Sequence, residues 1–255
     1  MTSSVDTVVL SGRPGGTTHR EVEILASLPA ELCLIGGLAV LCRVGVPHRT
    51  TVDLDVVTRS LAEQDVDLRR LAATVTDPSR YSFADGVDLD VIEVAPLDAA
   101  QVEAGFVDSG GPTDLELSVV AHTWAHDHAT PLDVVAVDDR TGEPLAAARG
   151  RRVATTVGLV AMKIVVVPLR AGLRSEKRAS DLYDLGRLVS VGRLRPGDLD
   201  ALPARLRAAT EERLHEWFVD PSGRDRTYRS VRRFDEPQLD LDDVADAVED
   251  LLRRA

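Results

Sequence analysis

The sequence predicts a protein of the α/β or α+β class whose strands and helices are followed by a helical C-terminal part. Over the first 150 residues or so, short apolar or alternating runs typical of strands take turns with amphipathic stretches of helical period. From about Val153 onward the patterns are helical. The 255 residues, 44% of them apolar, are enough to bury one large core or two smaller ones. We therefore expect a mixed-sheet core at residues 1–150 and a helical domain at 151–255.

Strand and helix candidates alternate from the N-terminus onward. "SVDTVVLSG" predicts a first strand, and "HREVEILASLPA" predicts a helix that Pro29 closes. "LCLIGG" is an apolar run ending in two glycines, which is typical of a buried strand that turns sharply. "LAVLCRVG" then predicts a helix that Gly45 and Pro47 end.

Two strands with the same polar pattern follow, and helices fill most of the remainder. "TVDLDVVT" and "VDLDVIEV" alternate polar and apolar positions, and an amphipathic helix candidate, "LAEQDVDLRRLAATV", separates them. "DSGGPTD" at 108–114 predicts a loop, and "PLDVVAV" and "PLAAA" flank a "DDRTGE" turn like the arms of a hairpin. The later helix candidates are "VATTVGLVAMKIVVV", "KRASDLYDLGRLVSVG", "DLDALPARLRAATEERLHEWF" and the tail "LDLDDVADAVEDLLRRA".

Composition and charge narrow the compartment and the class of partner. No apolar run approaches the roughly 18–20 residues of a membrane span, and the N-terminus lacks a signal-peptide pattern, so we expect a cytoplasmic protein. Cys33 and Cys42 are expected to be reduced core residues. The net charge of −12 argues against a generic nucleic-acid binder, yet residues 149–233 carry 19 Lys or Arg against 10 Asp or Glu. This balance of +9 could contact a polyanion or could belong to solvated helix faces.

Two pairs of aspartates carry the clearest chemical signal. Asp53 and Asp55 point to one face of their strand because side chains alternate, and Asp88 and Asp90 repeat the pattern. Neighbouring carboxylates repel one another unless they share a cation, and Mg²⁺ takes oxygen ligands from one or two carboxylates together with substrate phosphates. If the two strands are adjacent, the carboxylates meet in the arrangement that phosphoryl transfer needs. Either pair alone is more typical of a solvated strand face.

Two glycines and one lysine strengthen the phosphoryl-transfer interpretation. Gly36 and Gly37 lie between a strand and a helix, where a turn lets backbone N–H groups and the positive helix end approach a phosphate. The Gly-Gly pair alone is a weak signal, but followed by a helix and Asp-x-Asp it is more specific. Thr51 could place its hydroxyl on the γ-phosphate or stabilise the turn. Lys163, inside "VGLVAMKIVVV", either extends to solvent or faces a buried anion, and the aspartates favour the anion.

These motifs resemble a known family. "GG" followed after a helix by "DLD" resembles the signature of the DNA polymerase β-type nucleotidyltransferase superfamily. "LVAMKIVVVPLRAGLRSEKRASDLYDLGRLV", residues 159–189, is similar to the AbiEii/AbiGii nucleotidyltransferase toxin family, which includes the MenT toxins. There, an apolar helix with a lysine precedes an Arg-rich turn and Lys/Arg-x-x-Asp-Leu-x-Asp-Leu. The resemblance spans residues 34–189 in two blocks and implies a polymerase β-like nucleotidyltransferase core.

The resemblance implies a metal site on the two strands. Asp53 and Asp55 would hold Mg²⁺. Asp90 would supply the third carboxylate, with Asp88 as the alternative.

The resemblance also implies a nucleotide site. Lys163 would reach the triphosphate, and Asp181 would orient Lys163 or the substrate, so the helical domain would complete the site. Gly36, Gly37 and Thr51 would contact the nucleotide. Many family members have Gly-Ser where this chain has Gly-Gly, which removes one hydroxyl contact to phosphate.

The implied activity is transfer of NMP from an NTP to an acceptor hydroxyl, releasing pyrophosphate. By resemblance, the acceptor is the tRNA 3′ end and the protein is the toxin of a toxin–antitoxin pair with a cognate antitoxin. A small-molecule or protein acceptor would keep the fold and change the substrate. A non-catalytic nucleotide-binding module is the alternative from another class.

Two further segments carry weaker signals. His122 and His126 have a spacing that suits zinc on a helix, but we favour a structural role for this segment, with Trp124 in the core. "SGRDRTYRSVRRF" at 222–234 predicts an exposed loop rich in arginine, which could contact RNA or simply be solvated.

Overall fold

The computed structural model describes residues 5–45, 48, 53–84, 86–106, 112–170, 175–234 and 238–253. The chain divides into two compact units, Met1–Val94 with Ala129–Ala154, and Ala95–His128 with Thr155–Ala255. The boundary expected between residues 150 and 151 lies close to the last of these division points. Residues 95–128, which we assigned to the core, are part of the second unit.

The first unit is built on a sheet that mixes parallel and antiparallel pairs. The strands are β1 (Asp6–Gly12), β2 (Cys33–Ile35), β3 (Asp53–Thr58), β4 (Thr74–Asp77), β5 (Arg80–Ser82), β6 (Asp88–Glu93), β7 (Thr130–Asp138) and β8 (Pro144–Val153). Within the described residues these eight strands form one sheet in the order β1-β7-β8-β2-β3-β6-β5-β4. The pairs β1–β7, β2–β8 and β3–β6 are parallel, and the other neighbours are antiparallel.

The helices of the first unit, within its described residues, are α1 (Thr17–Ser27), α2 (Gly36–Val44) and α3 (Leu61–Leu71). Helix α2 starts directly after β2, as the glycine pair predicts. Its last turn is held by Arg43, whose guanidinium donates to the carbonyls of Val153 and Ala154 at 2.7 and 2.8 Å. This contact ties the end of α2 to the end of β8.

The second unit is helical and is assembled from two segments of the chain. Its helices are α4 (Ala99–Gly105), α5 (Asp114–Asp127), α6 (Thr156–Leu169), α7 (Ser175–Val191), α8 (Ala204–Leu214), α9 (Pro221–Val231) and α10 (Leu241–Leu252). Helices α5 and α6 approach closely, because a Cβ on Gly158 would lie 3.2 Å from Cα of Ala125. Glu103 of α4 accepts hydrogen bonds from the backbone N–H groups of Arg205 and Leu206, and so caps the start of α8.

The predicted fold class is confirmed, with a mixed α/β core and a helical C-terminal part. The predicted first strand, the two Asp-x-Asp strands, the β7–β8 hairpin and the helices after residue 153 are also present. The predicted helix at 61–75 is too long, because it ends at Leu71 and β4 follows. Strand β5 and helices α4 and α5 were not predicted. The arginine-rich segment at 222–234 is largely helix α9 rather than a loop.

Two expectations about individual side chains can be compared with the structure. Cys33 and Cys42 are buried thiols that form no disulfide, as expected. Trp124 is buried, its Nε1 donates to the carbonyl of Ala201 at 3.2 Å, and its ring stacks on His128. Within the described part of the chain, no helix is both long and apolar enough to span a bilayer.

Candidate active site

The pairing of β3 with β6 brings the two aspartate pairs together. The strands run parallel with Asp53 opposite Asp88 and Asp55 opposite Asp90. Paired residues in a sheet project to the same face, and neighbouring strands are about 4.8 Å apart. The intervening leucines, Leu54 among them, are fully buried on the opposite face. The four carboxylates therefore form one two-by-two patch on the polar face of the sheet, which we call the acidic face.

Gly36 packs its backbone against the acidic face. Ile35 pairs with Asp55 in the antiparallel β2–β3 ladder, so the first residue of α2 arrives beside this carboxylate. A Cβ on Gly36 would lie 2.7 Å from Cγ of Asp55 and would overlap Oδ2. The backbone of Gly36 also has a φ of +68°, which favours glycine. Both constraints make glycine necessary at this position, and Gly37 is buried in the first turn of α2.

An arginine from β5 lies across the second aspartate pair. Antiparallel pairing of β5 with β6 sets Arg80 opposite Asp90 and Ser82 opposite Asp88. Nη2 of Arg80 donates to Oδ2 of Asp88 at 2.7 Å, and Nη1 lies 3.7 Å from Oδ1 of Asp90. Oγ of Ser82 donates to Oδ1 of Asp88 at 2.6 Å. The Arg80 hydrogen bond, followed by that of Ser82, holds the pKa of Asp88 below its usual value.

Glu21 of α1 is a further carboxyl group near this face. Its side chain is 1% exposed, and its Oε1 has no hydrogen-bond partner among the described residues. Burial, followed by the nearby charge of Asp53, raises the pKa of Glu21 from 4.5 to about 8. Glu21 is therefore neutral at pH 7, which avoids a further negative charge beside Asp53.

Lys163 lies in a buried ionic cluster in the second unit. Its Nζ donates to Oδ1 of Asp181 at 2.6 Å and to Oδ2 of Asp184 at 2.7 Å. The two aspartates share one face of α7 because they are three residues apart. Arg170, at the C-terminus of α6, donates to the other carboxylate oxygen of Asp181. Lys163 thus faces buried anions rather than solvent, and two cations balance two carboxylates.

The predicted site residues are distributed over the two units. The first unit brings together Asp53, Asp55, Asp88, Asp90 and Gly36. The second unit brings together Lys163 and Asp181. Thr51 lies outside the described residues.

Two segments that gave weaker signals have local structural roles. Nδ1 of the buried His122 donates to the carbonyl of Ser118 at 2.6 Å. On α9, Arg224 pairs with Asp242, and Arg226 pairs with Glu216 at 3.3 Å. Arg229 pairs with Asp225 of the same helix at 3.4 Å.

Three residues of these clusters were not predicted. Glu21 could have been found, because it shares a helix face with Ile24, Leu25 and Leu28, which are all buried. Asp184 was visible in the repeated Asp-Leu pattern, but its contact with Lys163 depends on how α6 packs on α7. Arg80 had no sequence signal, because its strand is three residues long.

Comparison with known proteins finds a family match over most of the chain. A family model described as "Nucleotidyl transferase AbiEii toxin, Type IV TA system" matches residues 23–254. The match includes both strands of the acidic face and the cluster around Lys163. No curated protein matches the chain.

Proposed function

The chain belongs to the AbiEii nucleotidyl transferase toxin family, and from this premise we propose that it is an Mg²⁺-dependent enzyme that transfers NMP from an NTP to the 3′ end of tRNA. Nucleotidyl transfer and a place in a toxin–antitoxin system follow from the family. The metal, the acceptor and the residue roles are our proposal. The observation that carries it is the register of β3 and β6, which aligns Asp53 with Asp88 and Asp55 with Asp90 beside Gly36.

The donor atoms of the acidic face suit a hard divalent cation. They are carboxylate oxygens, which are the ligands that Mg²⁺ prefers, and Gly36 leaves room against Asp55 that a Cβ would fill. Among the residues that the structure describes, no three His, Cys, Asp or Glu side chains form a metal-binding group by themselves. We therefore propose that Asp53 and Asp55 hold the cation together with phosphate oxygens of the nucleotide. Bound there, the cation would neutralise charge on the triphosphate.

Asp90 is a better third carboxylate than Asp88. Both oxygens of Asp88 already accept hydrogen bonds, from Ser82 at 2.6 Å and from Arg80 at 2.7 Å. Among the described residues, the contact that Asp90 makes with a cation is a longer ion pair with Arg80, at 3.7 Å. Moving Asp88 onto a cation would break two short contacts. We assign to Asp90 the third position of the site and the acceptance of a proton from the attacking hydroxyl.

Lys163 is proposed to bind the triphosphate, and Asp181 to position Lys163. A lysine ammonium is a compact point charge suited to a triphosphate, and Asp181 fixes its position with a 2.6 Å hydrogen bond. Because Asp181 and Asp184 already balance this cluster, Lys163 also has a structural role. Catalysis would then depend on positioning and charge neutralisation, with no covalent bond between enzyme and nucleotide.

RNA is the proposed acceptor because residues 149–233 carry a balance of +9 in a chain whose net charge is −12. The ion pairs of Arg224, Arg226 and Arg229 reduce the share that α9 contributes to this balance. A cognate antitoxin is the expected protein partner. A small-molecule or protein acceptor would need no salt-sensitive RNA binding.

The test is to incubate the protein with each α-labelled NTP, MgCl₂ and total RNA, and to follow transfer of label. We expect one NTP to label tRNA, and we expect Asp53→Asn and Asp55→Asn to abolish labelling while both variants stay folded by circular dichroism. Asp67→Asn, a surface aspartate of α3 paired with Arg70, is the matched control and should keep full activity. Equal labelling by Asp53→Asn and wild type would refute the metal-site assignment. Label on another molecule would refute the tRNA acceptor.

A further inference from the structure

Arg80 is a positive charge that the structure places on the acidic face. Its guanidinium spans two carboxylates, with contacts of 2.7 Å to Asp88 and 3.7 Å to Asp90. The charge of Asp53 also raises the pKa of Arg80, after the larger effects of Asp88 and Asp90. The guanidinium of Arg80, with its single positive charge, therefore faces the carboxylates to which we assign a divalent metal.

The position of Arg80 is held from behind by other residues. Asp88 is fixed independently by the hydroxyl of Ser82. Tyr81, between Arg80 and Ser82, points to the opposite face, where its hydroxyl donates to Asp65 of α3 at 2.8 Å. Strand β5 is thus anchored on its apolar side, while the Arg80 side chain stays 41% exposed on the polar side. An anchored backbone with a partly exposed guanidinium suits a residue that exchanges partners.

An arginine also has the chemistry to bind phosphate. Its planar guanidinium forms bidentate hydrogen bonds with phosphate as readily as with carboxylate. Once a divalent cation neutralises Asp90, the electrostatic hold of that carboxylate on Arg80 weakens. Asp88 would still orient the guanidinium from one side.

We propose that Arg80 is a nucleotide-binding residue that neutralises the acidic face before substrate arrives and binds a phosphate of the NTP once the metal is bound. The inference rests on the proposed function, because it assumes the metal site on Asp53, Asp55 and Asp90. It makes two predictions of opposite sign. Arg80 opposes binding of a bare divalent cation and favours binding of a triphosphate.

The experiment measures both affinities on the full chain. Mn²⁺ alone is titrated and followed by electron paramagnetic resonance, and tripolyphosphate is titrated by calorimetry at saturating Mn²⁺. Removing one positive charge about 5 Å from a divalent ion, at the dielectric constant of water, should tighten Mn²⁺ binding by roughly tenfold in Arg80→Ala. Loss of a charge-assisted hydrogen bond should weaken tripolyphosphate binding by roughly tenfold or more.

Two further variants separate this role from a structural one. Arg80→Lys keeps the charge without the planar fork, so its Mn²⁺ affinity should stay near wild type and its tripolyphosphate affinity should be intermediate. Arg70→Ala removes an arginine of α3 that is paired with Asp67 and lies off the acidic face, and both affinities should be unchanged. Each variant is checked for folding by circular dichroism.

The outcomes distinguish this inference from the proposed function. If Arg80→Ala weakens Mn²⁺ and tripolyphosphate together, or leaves Mn²⁺ affinity unchanged, the inference is wrong while the metal site stands. If neither wild type nor Arg80→Ala binds Mn²⁺, the metal site is wrong and the inference falls with it. Tighter Mn²⁺ binding combined with weaker tripolyphosphate binding supports it.

Discussion

Replacement of Glu21 by glutamine should change how the stability of the protein depends on pH. The carboxyl group is buried, and its pKa is raised from 4.5 to about 8, first by burial and second by the charge of Asp53. Between these two pH values the unfolded chain has lost the proton and the native protein keeps it. The free energy of unfolding therefore falls as pH rises through this window. Glutamine has a similar shape and does not titrate, so Glu21→Gln removes this loss.

The size of the effect follows from the pKa difference. Each pKa unit corresponds to about 1.4 kcal/mol, so the rise from 4.5 to about 8 sets a ceiling of about 5 kcal/mol. As pH rises from about 5.5 to about 8.5, the free energy of unfolding of the variant should increase by about 3 kcal/mol relative to that of wild type. Near the lower pH the two proteins should differ by only about 1.4 kcal/mol, because that pH is about one unit above 4.5 and the native protein still keeps its proton.

The assay is urea unfolding followed by circular dichroism at both pH values, in EDTA to remove divalent cations. Glu23→Gln is the matched control, since Glu23 lies on the exposed side of the same helix and should give the same small difference at both pH values. A Glu21→Gln difference that does not change with pH would show that Glu21 is not protonated in the folded protein. It would also remove the argument that Asp53 and Glu21 interact.

Three further changes, two of them with a matched control, test the contact of Gly36 with Asp55, the ionic cluster around Lys163 and the arginines of α9. Gly36→Ala should lower stability by about 1–3 kcal/mol and displace Asp55, so that Mn²⁺ binding is lost, because a Cβ overlaps that carboxylate. Gly105→Ala, where a Cβ meets nothing within 4 Å, should show neither effect by urea unfolding and metal titration. Asp184→Asn should cost about 3–5 kcal/mol in urea unfolding because it leaves a buried cation cluster unbalanced. Asp200→Asn, which breaks a surface pair with 69% of the aspartate exposed, should cost less than about 1 kcal/mol, and equal losses would contradict the cluster's role. Charge reversal of the α9 arginines should flatten the slope of log tRNA affinity against log salt concentration. The change should be smaller than the roughly 0.7–0.9 per residue expected of unpaired cations, and a change of that full size would contradict their ion pairs.

The parts of the site that were predictable are those fixed by local periodicity. Side chains alternate along a strand whatever its neighbours are, so the common face of Asp53 and Asp55 was visible in the sequence. Asp53 and Asp55 lie beside Asp88 and Asp90 only because β3 and β6 are adjacent in the sheet. The sequence alone did not show that these two strands pair. Arg80 depended on register across a three-residue strand, which leaves no periodic pattern to detect. The sequence therefore predicted which side chains share a face of one strand, but it did not predict which strands pair with one another.

The helices that were missed have a different cause. Helix α5 is buried on most of its surface, with Leu117, Val120 and Trp124 buried together with polar His122 and Thr123. Apolar and polar residues then follow no single face, and the helical period is lost. The arginine-rich segment was interpreted as a loop because its charges suggested solvent. In α9 several of those charges are satisfied by carboxylates, which allows a helix to form there.

The discontinuous second unit limits how this protein could be divided or exchanged. Residues 95–128 lie between β6 and β7 in the sequence, but they pack against helices that come after residue 154. A fragment ending at Ala154 would carry α4 and α5 without Gly158 and the start of α8, the groups that α5 and α4 contact. Its complement would lack the Glu103 cap and the α5 surface. The helical unit should therefore form only when the two fragments are mixed, and a single recombination crossover at this boundary could not transfer it intact to another protein.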